Sequence, residues 1–275
     1  MTEQTVARYC LIDDLLAACR PSWASPPDPR QHLSDAEVLT PALVAARFFG
    51  GNLAHARRYR PGHGGQRSLH KSGFSRRLHR LPDVVDELFA LFGQLLQDLH
   101  TEAGYVLDSF PVAVCHHTRI GRCKRLTGKA YHGRCASKRG SFYGGQGLAT
   151  RDGRPVADHL HPGSQADVTG LHQMNPDLPE GSPLYTDAAY TDYAHEEVFQ
   201  EATGCQQHTA RRQNRKRPHA PARACLLQHF RHGIETCFRQ RTDRFPKKRH
   251  ATAAAGFALK IGLVIFGHAL DRFGL

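Results

Sequence analysis

Three acidic residues occupy positions where a carboxylate is hard to explain by structure alone. Asp108 follows the apolar run Tyr-Val-Leu, Asp187 follows Leu-Tyr-Thr, and Glu235 lies in a stretch with helical spacing. Carboxylates on two strand ends and one helix are typical of a two-magnesium site, because Mg²⁺ prefers oxygen ligands. Two such ions activate a water or a 3′-hydroxyl for attack on a phosphodiester and stabilise the leaving oxygen. The pattern therefore predicts phosphodiester chemistry with two Mg²⁺ ions, for which Mn²⁺ can substitute.

Each of these acids also has an ordinary structural interpretation. Asp108 fits a turn or a helix cap, and Asp187 fits a cap ahead of Ala188. Glu235 has Arg231 four residues before it and another arginine four residues after it, which is the spacing of ion pairs on an exposed helix. These alternatives stay open for each residue alone, and the ordered set of three favours catalysis.

Other acids in the same part of the chain compete less well for a catalytic role. Asp152 lies in a turn signal and Asp158 lies in a strand-like run. Asp167 follows Gly-Ser-Gln-Ala, which indicates a polar loop. Asp192 is the nearest rival to Asp187.

Positive charge is concentrated in two stretches of the chain. The net charge is +12, while residues 115–139 contribute +8 and residues 205–250 contribute +11, so the remainder is acidic on balance. Local basic surface favours a polyanionic partner, most often nucleic acid, over a solvated basic face. We expect double-stranded DNA as the partner. The expected contacts in these stretches are Lys124, Arg125, Arg211, Arg212, Arg215, Lys216 and Arg217.

The first hundred residues predict a small all-helical domain. Ser34 and Glu37 form a capping-box pattern ahead of an apolar run, and residues 84–99 have the period of an amphipathic helix. Several short helices with one basic member are typical of a helix-turn-helix-like DNA-binding unit, although any small helical bundle has the same pattern. The DNA contacts expected from this domain are Arg76 and Arg77.

After residue 100 the pattern changes to that of short strands. Residues 105–107 form an apolar run, and Asp152-Gly153 between two strand-like runs is a hairpin signal. The later elements are a strand at 184–186, a helix at 193–203, a long helix at 224–241 that contains Glu235, and a last apolar helix expected to cover the sheet. This order predicts an α/β fold with an RNase H-like core and a mixed sheet over residues 101–275. The basic loops of this domain are expected at 115–140 and 205–223.

Composition argues against a secreted or membrane protein. The eight cysteines include no CxxC pair, which favours reduced thiols over a zinc site. Nothing near Met1 has the pattern of a signal peptide. The last apolar run is interrupted by Lys260 and His268, so it indicates a buried core helix rather than a membrane span. We expect a cytoplasmic protein of a bacterium, associated with its DNA.

Several motifs together resemble the DDE transposases of bacterial insertion sequences. They are Leu-Asp-Ser-Phe-Pro-Val-Ala-Val-Cys-His, Arg-Ile-Gly-Arg, Phe-Tyr-Gly-Gly, Asp-Ala-Ala-Tyr-Thr-Asp-Tyr and Ile-Glu-Thr-Cys-Phe. The chain is most similar to the nine-eight-two insertion-sequence family, which is related to the insertion-sequence-four group. The resemblance covers nearly the whole chain and assigns Asp108, Asp187 and Glu235 to the three acidic positions of the family.

The resemblance implies recognition of terminal inverted repeats, 3′-end strand transfer and a homodimer in the synaptic complex. It also places Arg231 at the position of an arginine expected to bind phosphate. The chain departs from the related group at Gln228 and Thr242, where a tyrosine and a lysine are usual, and after the Phe-Tyr-Gly motif, where Gln146 and Gly147 replace lysine and histidine. Two alternatives remain: a decayed copy that binds DNA without catalysis, and an RNase H-like nuclease that cuts without joining.

Overall fold

The computed structural model describes residues 2–19, 31–62, 70–99, 104–116, 133–135, 140–212, 216–245 and 253–275. The chain divides into two compact units. The helical unit consists of Met1–Phe92 and Arg244–Leu275, and the sheet unit consists of Gly93–Asp243. The first unit is therefore built from two separated stretches of chain, between which the second unit is inserted.

Helices form the described part of the first unit. They are α1 (Thr2–Cys19), α2 (Asp35–Phe48), α3 (Leu53–Gly62), α4 (Lys71–Leu78), the greater part of α5 (Pro82–Leu99) and α9 (Ala254–Phe273). The predicted capping box is confirmed: Glu37 N–H donates to Ser34 Oγ at 3.1 Å, and Ser34 N–H donates to the Glu37 carboxylate at 2.7 Å. The predicted amphipathic helix after Pro82 is α5.

One carboxylate in the helical unit, that of Asp271 on α9, gathers three arginines. Arg8 Nη2 donates to Asp271 Oδ1 at 2.6 Å, Arg47 Nε lies 2.6 Å from Oδ2, and Arg244 also pairs with Oδ2. The Arg8 side chain is fully buried, and it also donates to the backbone carbonyl of Leu275. Burial of the guanidinium lowers the pKa of Arg8, and the charge of Asp271 opposes that shift. Asp271 thus joins α1, α2 and α9.

The position of α9 differs from the prediction. We expected this helix to cover the sheet of the catalytic domain, but it belongs to the helical unit and packs against α2. The domain boundary is accordingly near residue 93, and the end of the chain returns to the first unit. Among the described helices, α9 alone is long and apolar enough to cross a bilayer, and 67% of its apolar window is buried inside the protein.

A six-stranded mixed sheet organises the second unit. Its strands are β1 (Tyr105–His116), β2 (Gly133–Cys135), β3 (Gly140–Thr150), β4 (Pro155–His161), β5 (Pro183–Thr186) and β6 (Gln206–Thr209). β1 pairs antiparallel with β3, which pairs antiparallel with β4, and the short β2 also pairs with β3. On its other side β1 pairs parallel with β5, and β5 pairs parallel with β6. Across the sheet the antiparallel strands β4, β3 and β1 are followed by the parallel strands β5 and β6, and the short β2 also lies on β3. This mixed sheet confirms the predicted α/β fold with an RNase H-like core.

Helices pack on both faces of this sheet. The elements after β4 are α6 (Asp167–Met174), a 3₁₀ turn (Ala188–Tyr190), α7 (Tyr193–Thr203) and α8 (Pro221–Asp243). Because strand side chains alternate between faces, Tyr105 and Leu107 enter one core with Leu171 of α6 and Phe199 of α7. The rings of Phe230 and Phe238 on α8 pack 4.2 Å from Tyr185 and 6.1 Å from Phe110.

The hairpin prediction is confirmed, while α6, β6 and the short β2, which lies inside the predicted basic loop 115–140, were not predicted. Gly153 has φ 84°, which glycine adopts without strain, and Thr150 N–H donates to the Arg154 carbonyl across the turn. Strand β6 was not predicted. Helix α6 begins at Asp167, which had been interpreted as part of a polar loop.

Candidate active site

Strand pairing brings two of the predicted acids side by side. Leu107 of β1 is the register partner of Thr186 of β5, so Asp108 and Asp187 are the next residues of two neighbouring parallel strands. Such strands lie about 4.8 Å apart. Asp187 also begins the 3₁₀ turn, where its Oδ1 accepts from Ala189 N–H at 2.7 Å. The cap interpretation of Asp187 is therefore correct, and it leaves the second carboxylate oxygen available.

Glu235 reaches the same region from α8. It lies three residues before Phe238, whose ring stacks on Phe110. Phe110 and Asp108 are two residues apart on β1 and therefore face the same side of the sheet. The Glu235 side chain is exposed, and its charge helps to raise the pKa of Asp108. The charges of both other predicted acids, Asp187 and Glu235, thus act on Asp108.

Asp108 is the acid most strongly affected by this arrangement. Its pKa rises from 3.8 to about 7, first because burial penalises the charged form and then because of the charges of Asp187, Asp167 and Glu235. The hydrogen bond from Ser109 N–H to Asp108 Oδ1, 2.8 Å long, opposes this rise. The three charges that raise the pKa of Asp108 are thus all those of carboxylates.

Asp167 is a fourth acid that the sequence interpretation passed over. It is the first residue of α6, and its backbone carbonyl accepts from Gln146 Nε2 at 2.6 Å. Burial raises the pKa of Asp167, as does the charge of Asp187, while the side chain of Ser109 lowers it. No capping side chain precedes Asp167, so the sequence gave no local signal for this helix start.

Buried polar groups lie next to the four acids. Gln146 and Tyr190 are both fully buried, and Gln146 is the register partner of Ser109. Gln146 Oε1 and the Tyr190 hydroxyl have no hydrogen-bond partner of ordinary geometry in the part of the chain that the structure describes. Burial raises the pKa of Tyr190 well above its usual value, the charges of Asp167, Asp108 and Asp187 add to that rise, and the side chain of Ser109 opposes it.

The donor set suits a hard divalent cation. Carboxylate oxygens are the ligands that Mg²⁺ prefers, and a bound cation would offset their mutual repulsion. Within the described ranges, however, no three His, Cys, Asp or Glu side chains lie close enough together to hold a metal ion. The structure therefore brings Asp108 and Asp187 side by side at the ends of paired registers and leaves Glu235 exposed on α8.

The predicted DNA contacts of the 205–223 loop fall into two groups. Arg211 is almost buried, bonds to Glu196 and lies 4.8 Å from the centre of the Tyr193 ring. A DNA contact by Arg211 would first have to break that ion pair. Arg217 is 61% exposed and pairs with Glu197 at 2.7 Å. Arg212 and Lys216 are exposed, and Arg215 lies outside the described residues.

The remaining basic predictions have mixed outcomes. Arg76 of α4 is exposed, whereas Arg77 bonds to Asp35 and to the Leu33 carbonyl and so holds α4 to the start of α2. Arg231 lies on α8, one turn before Glu235, but its side chain is outside the described part of the structure. Lys124 and Arg125 are likewise outside it.

One comparison with known proteins identifies a family. A family model described as a transposase DDE domain matches residues 100–251. A search of curated protein sequences finds no match. The piggyBac transposase in its synaptic complex with hairpin DNA is 10% identical, with 99% of this chain and 73% of that chain covered and a TM-score of 0.47. The Mos1 transposase in a paired-end complex with the left transposon end is 13% identical, with 91% and 80% covered and a TM-score of 0.25.

Proposed function

The chain belongs to the transposase DDE-domain family, whose model matches more than half of its length, and from this we propose that it cuts and joins DNA at the terminal inverted repeats of a bacterial insertion sequence. Within the family we assign it to the nine-eight-two insertion-sequence group. We propose that it acts on double-stranded DNA in the bacterial cytoplasm, as a homodimer that pairs two transposon ends.

The pairing of β1 with β5 is the observation that supports this proposal most. It puts Asp108 and Asp187 at the same level of two adjacent strands, as a shared metal site requires. Helix α8 adds Glu235 from the same face of the sheet, because Phe238 anchors that helix on Phe110. Acids scattered over the surface by chance would not be expected to follow paired residues of neighbouring strands and also to lie on a helix that packs against one of those strands.

The proposed chemistry divides into the contribution of the cations and that of the chain. Two divalent cations, Mg²⁺ or Mn²⁺, would activate the attacking hydroxyl and stabilise the leaving oxygen. Asp108, Asp187 and Glu235 would hold these cations. Asp108 sits on a strand inside the sheet, so it supplies the most rigid of the three carboxylates. Asp187 is held in orientation by its bond from Ala189 N–H.

Basic residues would position the DNA. We propose Arg212, Lys216 and Arg217 as contacts to the phosphate backbone, since their side chains are exposed on one loop. Arg231 is proposed to bind a phosphate near Glu235, because a guanidinium matches two phosphate oxygens at once. Replacing Arg231 with Lys keeps the charge and loses that fork, so strand transfer should fall strongly while thermal stability stays unchanged.

Cleavage of DNA that carries the inverted repeats flanking the gene tests the function. The purified protein should cut this DNA with Mg²⁺ or Mn²⁺ and should not cut it with EDTA. Asp108→Asn, Asp187→Asn and Glu235→Gln should each remove cleavage and keep DNA binding. Glu201→Gln, an exposed acid on α7, is the matched control and should cut normally. Cutting that survives one of the three changes would remove that residue from the site.

The same assay separates the alternatives. The exposed position of Glu235 and the two departures at Gln146 and Gly147 give some weight to a copy that binds ends without catalysis. Such a copy would shift the end fragments in a gel and leave them uncut with either metal. A nuclease that does not join would cut the ends but yield no product linked to target DNA.

A further inference from the structure

The segment that carries Asp187 lies just past the end of a strand. Thr186 is the last residue of β5 in both registers, with β1 on one side and with Thr209 of β6 on the other. Asp187 comes next, and the 3₁₀ turn Ala188–Tyr190 follows it directly. Asp108, by contrast, lies inside β1, where the pairing with β3 continues on both sides of it. The backbone ladder therefore holds Asp108 directly, whereas the registers of β5 end one residue before Asp187.

Two buried threonines join the residue before Asp187 to β6. Thr186 Oγ1 donates to Thr209 Oγ1 at 2.9 Å, and both side chains are buried. The backbone adds a second bond, from Ala210 N–H to the Thr186 carbonyl at 3.0 Å. Because Asp187 continues the extended backbone, its side chain leaves the opposite side of the chain from that of Thr186. The threonine pair can therefore hold the end of the strand without competing for the Asp187 carboxylate.

Gln207 holds the far end of the same segment. It lies two residues before Thr209 on β6, so the two buried side chains share a face of the sheet. Its Nε2 donates to Thr209 Oγ1 at 3.0 Å and, over a longer distance of 3.4 Å, to the Tyr190 carbonyl. Tyr190 is the last residue of the turn that Asp187 caps. Two residues of β6 thus bond to the chain on both sides of Asp187.

We propose that Gln207 and Thr209 are positioning residues, which hold the Asp187 carboxylate at the edge of the sheet where the proposed cleavage takes place. Reactions of this kind slow when the reacting groups are misplaced by about 1 Å, even through a distant change. This inference rests on the proposed function, since it concerns one of the same carboxylates. The alternative is a structural role alone, because threonine pairs between neighbouring strands also stabilise ordinary sheets.

Hydrogen exchange of the full-length protein, measured by NMR without metal or DNA, tests the positioning directly. The amide of Ala189 donates to Asp187 Oδ1, so its exchange rate reports how firmly the turn is held. Thr209→Val keeps the branched shape and loses the hydroxyl, and the Ala189 amide should then exchange about tenfold faster or more. Thr209→Ser keeps a hydroxyl and should exchange like the wild type.

Thr150→Val is the matched control for this measurement. Thr150 is also a buried threonine on a strand of the same unit, but its hydroxyl bonds to Asp152 in the turn between β3 and β4. Its replacement should leave exchange at Ala189 unchanged. If Thr209→Val and Thr150→Val exchange alike at Ala189, Thr209 does not hold the turn and the proposal is overturned.

Cleavage rates show whether this holding serves catalysis. Thr209→Val and Gln207→Leu should each lower the rate of end cleavage by about 10–100-fold, which is typical of losing a group that supports a metal ligand. Their affinity for the end DNA should stay at the wild-type value. Thr209→Ser should recover most of the rate, and Thr150→Val should cut normally. Thr186→Val removes the donor of the same bond, so combining it with Thr209→Val should cost no further rate.

The outcomes separate this inference from the proposed function. If the wild type cuts the ends and Asp187→Asn does not, but folded Thr209→Val cuts at the wild-type rate, the threonine pair is structural only and the proposed function stands. That result overturns the inference whether or not exchange at Ala189 is faster. If the wild type cuts no end DNA with either metal, the proposed function fails, and the role of Gln207 and Thr209 in catalysis fails with it.

Thermal unfolding checks that each variant is folded before its rate is compared. If Thr209→Val does not fold, Thr186→Val takes its place, because it breaks the same bond from the other strand. A wild-type cleavage rate in folded Thr186→Val would then overturn the proposal.

Discussion

Asp271 in the helical unit and Asp108 in the sheet unit are partly buried acids with opposite surroundings. Asp271 bonds to Arg8, Arg47 and Arg244. Asp108 is surrounded by the charges of three further carboxylates, and burial and those charges raise its pKa to about 7. The first acid is neutralised by three arginines, whereas the charges that raise the pKa of the second are those of further acids.

This difference separates a structural carboxylate from a functional one more clearly than burial does. Both side chains are removed from water, so both incur the cost of desolvation. Around Asp271 the arginines offset that cost in the folded protein. Around Asp108 the neighbouring acids add to that cost, which fits the proposal that a cation binds there.

The largest expected effect is on catalysis. Asp108→Asn should lower the rate of end cleavage by about a thousandfold or more, because a metal-holding carboxylate supports several kcal/mol of transition-state stabilisation. Asp271→Asn, assayed at a temperature where it is folded, should cut at a rate close to the wild type. Initial rates on the same labelled DNA measure both variants. A comparable loss in Asp271→Asn would break the distinction between the two acids.

For stability the order of the two acids should be reversed, so that changing Asp271 has the larger effect. Asp271→Ala leaves three arginines without their shared acid, so the free energy of unfolding should fall by about 3–5 kcal/mol. Asp14→Ala, an exposed acid on α1, is the control and should change little. Urea unfolding followed by circular dichroism measures the difference. Equal losses of unfolding free energy in the two variants would show that the arginine cluster stabilises the protein no more than an exposed acid does.

The dependence of stability on pH sharpens the contrast. Asp108 has a pKa of about 7 in the folded protein and 3.8 as its ordinary value, so the folded state binds its proton more tightly. The stabilising contribution of protonated Asp108 is fully present below pH 3.8 and is lost as pH rises to about 7. In EDTA, Asp108→Asn should remove this decline and be more stable than the wild type at pH 7. Urea unfolding between about pH 5 and about pH 8 measures this decline in the free energy of unfolding. An unchanged dependence on pH in the variant would contradict the assignment to Asp108.

The smallest expected effect concerns arginines rather than acids. Arg212→Ala and Arg217→Ala should each flatten the salt dependence of DNA binding by a slope of about one, corresponding to one lost phosphate contact. Arg211→Ala should leave that slope unchanged and lower the unfolding temperature, because Arg211 is almost buried against Glu196. Fluorescence anisotropy over a range of salt concentrations measures the slopes. The reverse result would mean that the Glu196 pair opens to bind DNA.

Local signals in the sequence predicted the elements that carry the first two acids. Apolar runs precede Asp108 and Asp187, and the alternation of strands determines which side chains face α8. Only Asp187 follows the end of its strand, since β1 continues through Asp108 to His116. The Asp-Gly turn and the serine cap were predictable because their chemistry lies within four residues. The order of strands and helices along the chain then predicted which of these elements pack together in the sheet.

Asp167 and β6 escaped prediction for a different reason. Helix α6 has eight residues, starts without a capping side chain and contains Gly170, so its sequence has no helical signature. Strand β6 is the polar run Gln-Gln-His-Thr, and only parallel pairing with β5 makes it a strand. The sequence also did not predict which unit α9 belongs to, because a helix that is apolar on most sides does not specify what it packs against.

The return of α9 to the helical unit has a consequence for synthesis on the ribosome. Domains tend to fold as units while the chain emerges. Here Arg8 is made among the first residues, but Asp271 emerges only after all of Gly93–Asp243. The inserted sheet unit can therefore fold first, before Asp271 has been synthesised and can pair with Arg8 of α1. A frameshift or early stop between residues 244 and 270 would leave the sheet unit whole and deprive the helical unit of its last helix.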